Sequence, residues 1–248
     1  MKNYCVVQHT YSEFLALIEA QLEKRDIGFS YYRPFVGQDL PGSAAQFDGL
    51  WLLGGAWPTA DRENNPQVPD ELSLIDIFRR SQRPVVGLGM GGLLVAEQAG
   101  GTAREEPPYV ARFTTARKTA AGEGDPVAEA MDGERVLQLH HGSVELPEGL
   151  EPIMVDDDGE WLMVRPDELT YGMLFRPEAK PGMLEDILME ADHNPPPNMG
   201  ELLGEARMEW NQMQQVTDKL LVALVKQLSL MQERRKMPVF SLQIEGDG

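Results

Sequence analysis

The chain has 248 residues, with 40 acidic side chains, 22 basic ones and a formal net charge of −18. A field this negative repels nucleic acid and anionic membranes, so we expect neither as a partner. The single cysteine excludes intrachain disulfides and Cys-rich zinc modules. We find no signal-type segment and no apolar run of the roughly 18 residues that a membrane span needs, and therefore expect a cytoplasmic protein.

The first hundred residues alternate short apolar segments with helical patterns. The apolar segments predict strands at residues 4–8, 30–36, 47–53 and 84–87. The helical patterns lie at residues 12–25, capped by Ser12, and at residues 70–80 and 93–99. This alternation predicts a three-layer α/β sandwich with a mostly parallel sheet. Ligands of such sheets bind at the carboxyl ends of the strands, which here lead into the loops at 54–57 and 87–92.

The second half of the sequence has a different pattern. Residues 109–175 favour further strands, and the three prolines in 191–198 indicate a stiff linker. Residues 199–236 predict one long helix or two, so we divide the chain into a body at 1–190, the linker, and a C-terminal helical arm and tail at 199–248. The body carries a charge of −16, whereas the segment after residue 190 has 8 acidic and 6 basic residues.

The predicted arm has an apolar seam at steps of three and four residues, which is typical of helices that pack against a partner. The predicted interface residues are Trp210, Met213, Leu220, Leu224, Leu228 and Met231. Because the linker sets the arm apart from the body, we favour contact with another subunit, in a homo- or hetero-oligomer. Packing of the arm on its own body is the alternative.

Four segments, in order, resemble class I glutamine amidotransferase domains, particularly those similar to the glutaminase domain of GMP synthase. The segment FDGLWLLGGAW at 47–57 resembles the oxyanion strand and loop, and RPVVGLGMGGLLVAEQAGGT at 83–102 resembles the nucleophile elbow. The stretch from 114 to 149 resembles the middle of the domain, and YGMLFRPE at 171–178 resembles the terminal His-Pro-Glu motif. The resemblance covers about residues 1–190 and implies the flavodoxin-like class I amidotransferase fold.

The resemblance also implies where a catalytic triad would lie, and two of its positions are changed. Gly89 stands at the nucleophile position, Arg176 at the position of the catalytic histidine, and only Glu178 matches the family. Leu93 stands where the family has a substrate-contacting glutamine. A guanidinium does not act as a base at neutral pH, and nucleophilic catalysis needs both a nucleophile and a base. We therefore expect no glutaminase activity. Cys5 lies on the first strand and is expected to be a buried apolar residue.

The altered site suggests a hypothetical pocket for a small anion or metabolite. Its expected residues are Gly54, Gly55, Trp57, Met90, Leu93 and Arg176. Backbone N–H groups at the first two glycines and at residue 90 would surround the anion, and Arg176 would supply a positive charge. The simpler alternative is that Arg176 and Glu178 form a salt bridge that fills the site. A hydrolase that activates water through Glu178 is a further alternative.

Two other patterns carry less weight. Gly87, Gly89 and Gly92 match G-x-G-x-x-G, but no acidic residue follows at the spacing of dinucleotide-binding folds, so we attribute these glycines to a tight turn. Adjacent His140 and His141 would point to opposite faces of a strand, and a metal site that combines one of them with His9 has no motif support. We expect no metal and no cofactor.

The sequence thus predicts a catalytically inactive, amidotransferase-like protein that acts as a structural or regulatory subunit of a larger assembly, with a metabolic enzyme as the favoured partner. Assembly through the C-terminal helix is the main hypothesis. The anion or metabolite sensor and the Glu178 hydrolase remain the alternatives.

Overall fold

A computed structural model describes residues 2–106, 109–190 and 195–230. The strands are β1 (Lys2–Val7), β2 (Ile27–Tyr32), β3 (Gly49–Leu52), β4 (Val85–Leu88), β5 (Thr102–Arg104), β6 (Val110–Thr115), β7 (Arg117–Lys118), β8 (Arg135–His140), β9 (Ser143–Glu145), β10 (Met154–Val155), β11 (Trp161–Asp167) and β12 (Thr170–Met173). The helices are α1 (Leu17–Glu23), α2 (Val68–Arg80), α3 (Met90–Gln98), α4 (Pro126–Met131), α5 (Pro181–Met189), α6 (Met199–Met208) and α7 (Trp210–Gln227).

The main sheet has the strand order β2-β1-β3-β4-β12-β11-β10-β7. The pairs from β2 through β12 are parallel, and the pairs beyond β12 are antiparallel. Strands β5 and β9 form one small antiparallel sheet, and β6 and β8 form another. The mostly parallel sheet confirms the predicted α/β class.

Side chains alternate between the two faces of the sheet, and each face belongs to its own apolar cluster. Tyr4 and Val6 of β1 pack with α1, α4 and α7 on one face. Cys5 and Val7 of the same strand pack with α2 on the other face. The period of two along β1 therefore places helices on both sides of the sheet, as a three-layer sandwich requires.

The first helix begins later than the sequence predicts. Ser12 does not cap it, and its hydroxyl lies instead 3.2 Å from the hydroxyl of Thr10. The helix starts only after Ala16, whose φ is +40°. The side chain of Glu13, which lies in the segment expected to be helical, points to the interior. The chain between β1 and α1 is thus a loop shaped by its contacts with the rest of the protein.

The C-terminal segment forms two helices, α6 and α7, with a break at Glu209. The seam expected to meet another subunit lies inside this chain. Leu220, Leu224 and Leu228 are buried in the same cluster as Tyr4 and Val6, while Met213 and Trp210 pack with α5 and β8. These seam residues therefore pack on their own body, which is the alternative that the sequence left open, because burial of apolar surface against the sheet is favourable. Met231 lies outside the described residues.

No helix in the described ranges combines the length and the apolar character that crossing a membrane would require.

Candidate functional site

Three loops at the carboxyl edge of the sheet meet at the expected catalytic position. Gly54 follows β3, Gly89 follows β4 and begins α3, and Arg176 follows β12. Since β3, β4 and β12 are parallel neighbours, their carboxyl ends lie side by side. The turn at Gly89 has φ +55°, a backbone conformation that glycine tolerates best.

Arg176 is held between two carboxylates in the interior. Its Nε donates to Oε1 of Glu178 at 2.5 Å, and its Nη1 donates to Oε1 of Glu13 at 2.6 Å. All three side chains are almost wholly buried. Glu13 also accepts a hydrogen bond from the hydroxyl of Thr10 at 3.1 Å. One guanidinium therefore donates to two buried carboxylates. We call Arg176, Glu178 and Glu13 together the Arg176 cluster.

The Arg176 cluster occupies the space that a nucleophile would need. A Cβ placed on Gly89 would lie 2.9 Å from Cδ of Arg176 and 3.1 Å from the carbonyl oxygen of Leu139. A side chain at Gly54 would overlap both Arg176 and Glu13. A small cavity on the α7 side of Arg176, lined also by Met213 and Val216, has a volume of about 10 Å³, which is room for about one water molecule.

The electrostatics of the cluster exclude Arg176 as a base. Burial alone would lower the pKa of Arg176, but the Glu178 and Glu13 carboxylates raise it above its usual value. Burial raises the pKa of Glu178. The Arg176 guanidinium lowers this pKa only in part, because Arg176 also contacts Glu13. Arg176 therefore keeps its proton at neutral pH.

The C-terminal helix closes this site from one side. The hydroxyl of Thr217 in α7 lies within hydrogen-bond distance of the carbonyl oxygens of Pro177 and Met213, and its single proton can be donated to either of them. The backbone N–H of Leu17 donates to the carbonyl oxygen of Glu178 at 3.2 Å. Thr217, the polar residue within the apolar seam, thus has a local role, since it fixes α7 against the segment that carries Arg176 and Glu178.

Three rings form a stack beside the cluster. The His141 ring lies between Trp57 and Tyr109, with ring centroids 6.5 Å and 4.8 Å away and interplanar angles of 24° and 29°. His141 Nδ1 lies 2.8 Å from the carbonyl oxygen of Ala56, which ties β8 to the loop after β3. Burial raises the pKa of Tyr109, and Glu13 adds to this effect, which places its phenol close to the cluster. The stack brings together rings from the loop after β3, the segment before β6 and the end of β8.

A second buried pair joins the first strand to α2. His9 Nδ1 lies 2.9 Å from the Gly54 carbonyl oxygen, and its Nε2 lies 3.2 Å from Oε1 of Glu71, although this second contact is not aligned as a hydrogen bond. Burial alone would lower the pKa of His9, but Glu71 raises it above its usual value. The two nitrogens of the His9 ring therefore connect the loop at Gly54 to α2.

The remaining titratable candidates have structural partners. His140 Nδ1 lies 3.0 Å from the Gly142 carbonyl oxygen, and burial lowers the pKa of His140 to about 4. Burial raises the pKa of Cys5 to about 12, so its thiol is inert at neutral pH. Within the described ranges, no three His, Cys, Asp or Glu side chains converge in a way that could hold a metal ion.

The expected pocket residues lie in different environments. Leu93 and Met90 are buried in the apolar clusters on the two faces of the sheet. A side chain at Gly55 would overlap the Met90 sulfur, so Met90 fills space beside the loop. Trp57 lines a cavity of about 190 Å³ together with His9 and Tyr11. The geometry at Gly54 and Arg176 favours the salt-bridge alternative over anion binding, because the guanidinium already contacts two carboxylates.

Sequence reasoning did not find Glu13, Glu71 and Tyr109. Glu13 and Glu71 lie in segments whose apolar spacing predicts helices, and such patterns do not show which acidic residue turns inward. A usable signal for Glu13 was its position just after the first strand, at the edge where the family motifs meet.

Comparison with solved structures agrees with this fold. A glutamine amidotransferase from Methylobacillus flagellatus superposes with a TM-score of 0.78 at 19% identity, covering 96% of this chain and 99% of that one. A glutamine amidotransferase from Thermotoga maritima gives a TM-score of 0.74 at 19% identity, covering 91% and 98%. A protein from Thermoplasma acidophilum that is named as a GMP synthase subunit gives 0.56 at 13%, covering 90% and 96%. No protein-family model and no curated protein matches the sequence.

The strand order, the strand-to-helix turn at Gly89 and these superpositions define the class to which the structure belongs. The chain has the class I glutamine amidotransferase fold.

Proposed function

We propose that this protein is a catalytically inactive member of the glutamine amidotransferase fold class that serves as a structural or regulatory subunit of a larger assembly. The observation that supports catalytic inactivity is the position of Arg176. Its Cδ lies 2.9 Å from the place that a Cβ on Gly89 would occupy. The site has no nucleophile, and the residue in the place of the base holds its proton.

The subunit role is supported by two observations. The protein similar to it from Thermoplasma acidophilum is described as a subunit of GMP synthase. The outward side of the C-terminal helices carries exposed apolar side chains, with Met208 at 81% and Val222 at 58% exposure. Because the inward seam is used by this chain itself, a partner would meet the outward side.

We expect the purified protein to release no ammonia from glutamine above the uncatalysed rate, because the thiol and the imidazole of the reaction are both replaced. Enzyme-coupled ammonia detection, with an active glutaminase as the positive control, measures this. Glu178→Gln is the matched variant, since it removes the remaining triad carboxylate and should leave the background unchanged. If the protein releases ammonia and Glu178→Gln abolishes the release, the site is active. That result would support the alternative in which Glu178 activates water for hydrolysis.

We expect the full-length protein, purified by affinity from its native cells, to carry one partner in fixed stoichiometry, identified by mass spectrometry. Val222→Asp should release that partner by placing a charge on the outward side of α7. Val36→Asp is the control, because Val36 is similarly exposed at 51% but lies in the loop after β2. A monomeric protein that retains no stoichiometric partner would contradict the subunit role.

A further inference from the structure

The two edges of the main sheet differ in length and charge. At one edge lies β7, which has only two residues, and both are basic. At the other edge lies β2, which has six residues, Ile27–Tyr32, without a charged side chain or a proline. Proteins protect sheet edges from pairing with other chains by shortness, charge, proline or a covering segment. Shortness and charge protect β7, so β2 is the edge that needs a cover.

The backbone groups on the outer side of β2 are open to a further strand. The backbone N–H of Gln8 donates to the carbonyl oxygen of Tyr32 at 2.9 Å, so the backbone groups of Tyr32 point toward β1. Because successive residues of a strand direct their N–H and C=O groups to opposite sides, those of Phe29 and Tyr31 point away from β1. Across residues 2–106, 109–190 and 195–230, β2 pairs with β1 alone, and no hydrogen bond from these residues reaches the outward groups.

The side chains of β2 present an apolar face and a more polar face at this edge. Ile27, Phe29 and Tyr31 belong to the face that α1 and α7 cover, where Ile27 is buried and the two aromatic rings are only partly buried. The rings meet edge to face with centroids 5.8 Å apart. A strand beside β2 would match it with apolar side chains on this face and polar ones on the other. The other face carries Gly28, Ser30 and Tyr32.

The last described residues bring the C-terminal segment to the start of this edge. The side chain of Lys2 donates to the carbonyl oxygen of Ser229, and the hydroxyl of Tyr4 donates to that of Leu230. Lys2 pairs with Ile27, so this is also the amino end of β2. A further strand beside β2 lies about 10 Å from β1, whereas the chain from Leu230 to residue 240 reaches roughly 33 Å when extended. A segment that starts here and follows β2 would run parallel to it.

The sequence after Leu230 contains a segment with the required pattern. Residues 240–245 read Phe-Ser-Leu-Gln-Ile-Glu, a strict alternation of apolar and polar side chains that predicts a half-buried strand. Pro238 precedes the segment and Gly246 follows it, as turn residues bound a strand. Its six residues equal β2 in length. Placed opposite 27–32, its apolar residues fall beside the apolar face of β2 and its polar residues beside the other face.

We propose that residues 240–245 pair with the outer edge of β2 as a further parallel strand of the same sheet. The backbone of this segment supplies partners for the outward N–H and C=O groups of Phe29 and Tyr31, as when a peptide extends a sheet. Because the segment belongs to the same chain, its effective concentration at the edge is of the order of millimolar, which exceeds that of a second copy in dilute solution. The proposal does not depend on the proposed function.

Amide hydrogen exchange followed by NMR on the full-length protein tests the proposal. The comparison protein ends at Met237 and lacks the segment. We expect the amides of Phe29 and Tyr31 to exchange at least about tenfold more slowly in the full-length protein, because each then donates to the added strand. The amides of Ser30 and Tyr32 donate to β1 in both proteins, so equal rates for these two show that both proteins are folded.

Two double variants of equal charge test which face of the segment meets the apolar face of β2. Phe240→Asp with Leu242→Asp places two carboxylates beside the aromatic rings and should abolish the slow exchange. Ser241→Asp with Gln243→Asp is the matched control, since it adds the same charge to the same segment on the polar face. The control should keep the exchange of Phe29 within about threefold of its rate in the unaltered protein.

Four results would overturn the proposal. These are equal exchange of Phe29 and Tyr31 with and without the segment, slowing of Ser30 and Tyr32 to the same extent, equal loss of protection in both double variants, and light scattering that shows a full-length dimer and a truncated monomer. The last result would assign the segment to the edge of a second copy. None of these results bears on ammonia release from glutamine, so the two proposals can fail separately.

Discussion

Replacing Arg176 by methionine should lower the free energy of unfolding by about 3–5 kcal/mol, the cost typical of removing one partner from a buried ion pair. The change leaves Glu13 and Glu178 in the interior without the guanidinium that they share, and both must then take up a proton or remain unstably ionised. Urea denaturation followed by tryptophan fluorescence measures the loss.

Two further variants test whether the loss of stability comes from the two carboxylates that are left without a counter-charge. Adding Glu13→Gln and Glu178→Gln to the Arg176→Met protein should recover part of the stability, because neutral amides need no counter-charge. Arg80→Met is the surface control, since the Arg80 side chain is 80% exposed and pairs with Asp76 one turn away. It should change stability by less than about 0.5 kcal/mol. An Arg176→Met protein as stable as the Arg80→Met protein would contradict the role of the cluster.

Replacing Leu224 by alanine should cost about 2–5 kcal/mol, as for other leucines removed from a packed core. Leu224 is fully buried against the face of the sheet that α1 and α4 also cover. The cost arises in the isolated chain, with no partner present, because α7 is part of the core. Urea denaturation of the purified chain without any partner measures it.

Val222→Ala is the matched control, two residues earlier on the outward side of the same helix. Val222 is 58% exposed, so its truncation should change the free energy of unfolding by less than about 0.5 kcal/mol. If both variants lost equally little, α7 would not be packed as described. The segment would then behave as the independent arm that the proline-rich linker suggests.

The class of fold could be predicted from the sequence because the signals for it are local. Apolar segments of four to seven residues alternate with helical patterns, and glycines at 54, 89 and 92 mark turns between them. The resemblance to the amidotransferase family also assigns Gly89 and Arg176 to two triad positions, and this assignment stays a prediction. These predictions use neighbours in sequence, which is the range over which residue patterns carry structural information.

The partners of Arg176 and the packing of α7 depend on long-range contacts. Glu13 lies 163 residues from Arg176, and its segment has the apolar spacing of a helix, so nothing local marks it as an ion-pair partner. The seam at Leu220 and Leu224 has the same spacing whether it faces another subunit or its own sheet. Periodicity shows that a helix side must be covered but not which surface covers it.

The C-terminal end of the described chain is tied to its first strand. The hydroxyl of Tyr4 donates to the carbonyl oxygen of Leu230 at 2.6 Å, across 226 positions of sequence, and the side chain of Lys2 donates to the carbonyl oxygen of Ser229. During synthesis β1 and α1 leave the ribosome about 200 residues before α7, the helix that covers them. One apolar face of the sheet therefore stays open until α7 has been made. Such late closure slows folding and extends the period in which a nascent chain depends on chaperones.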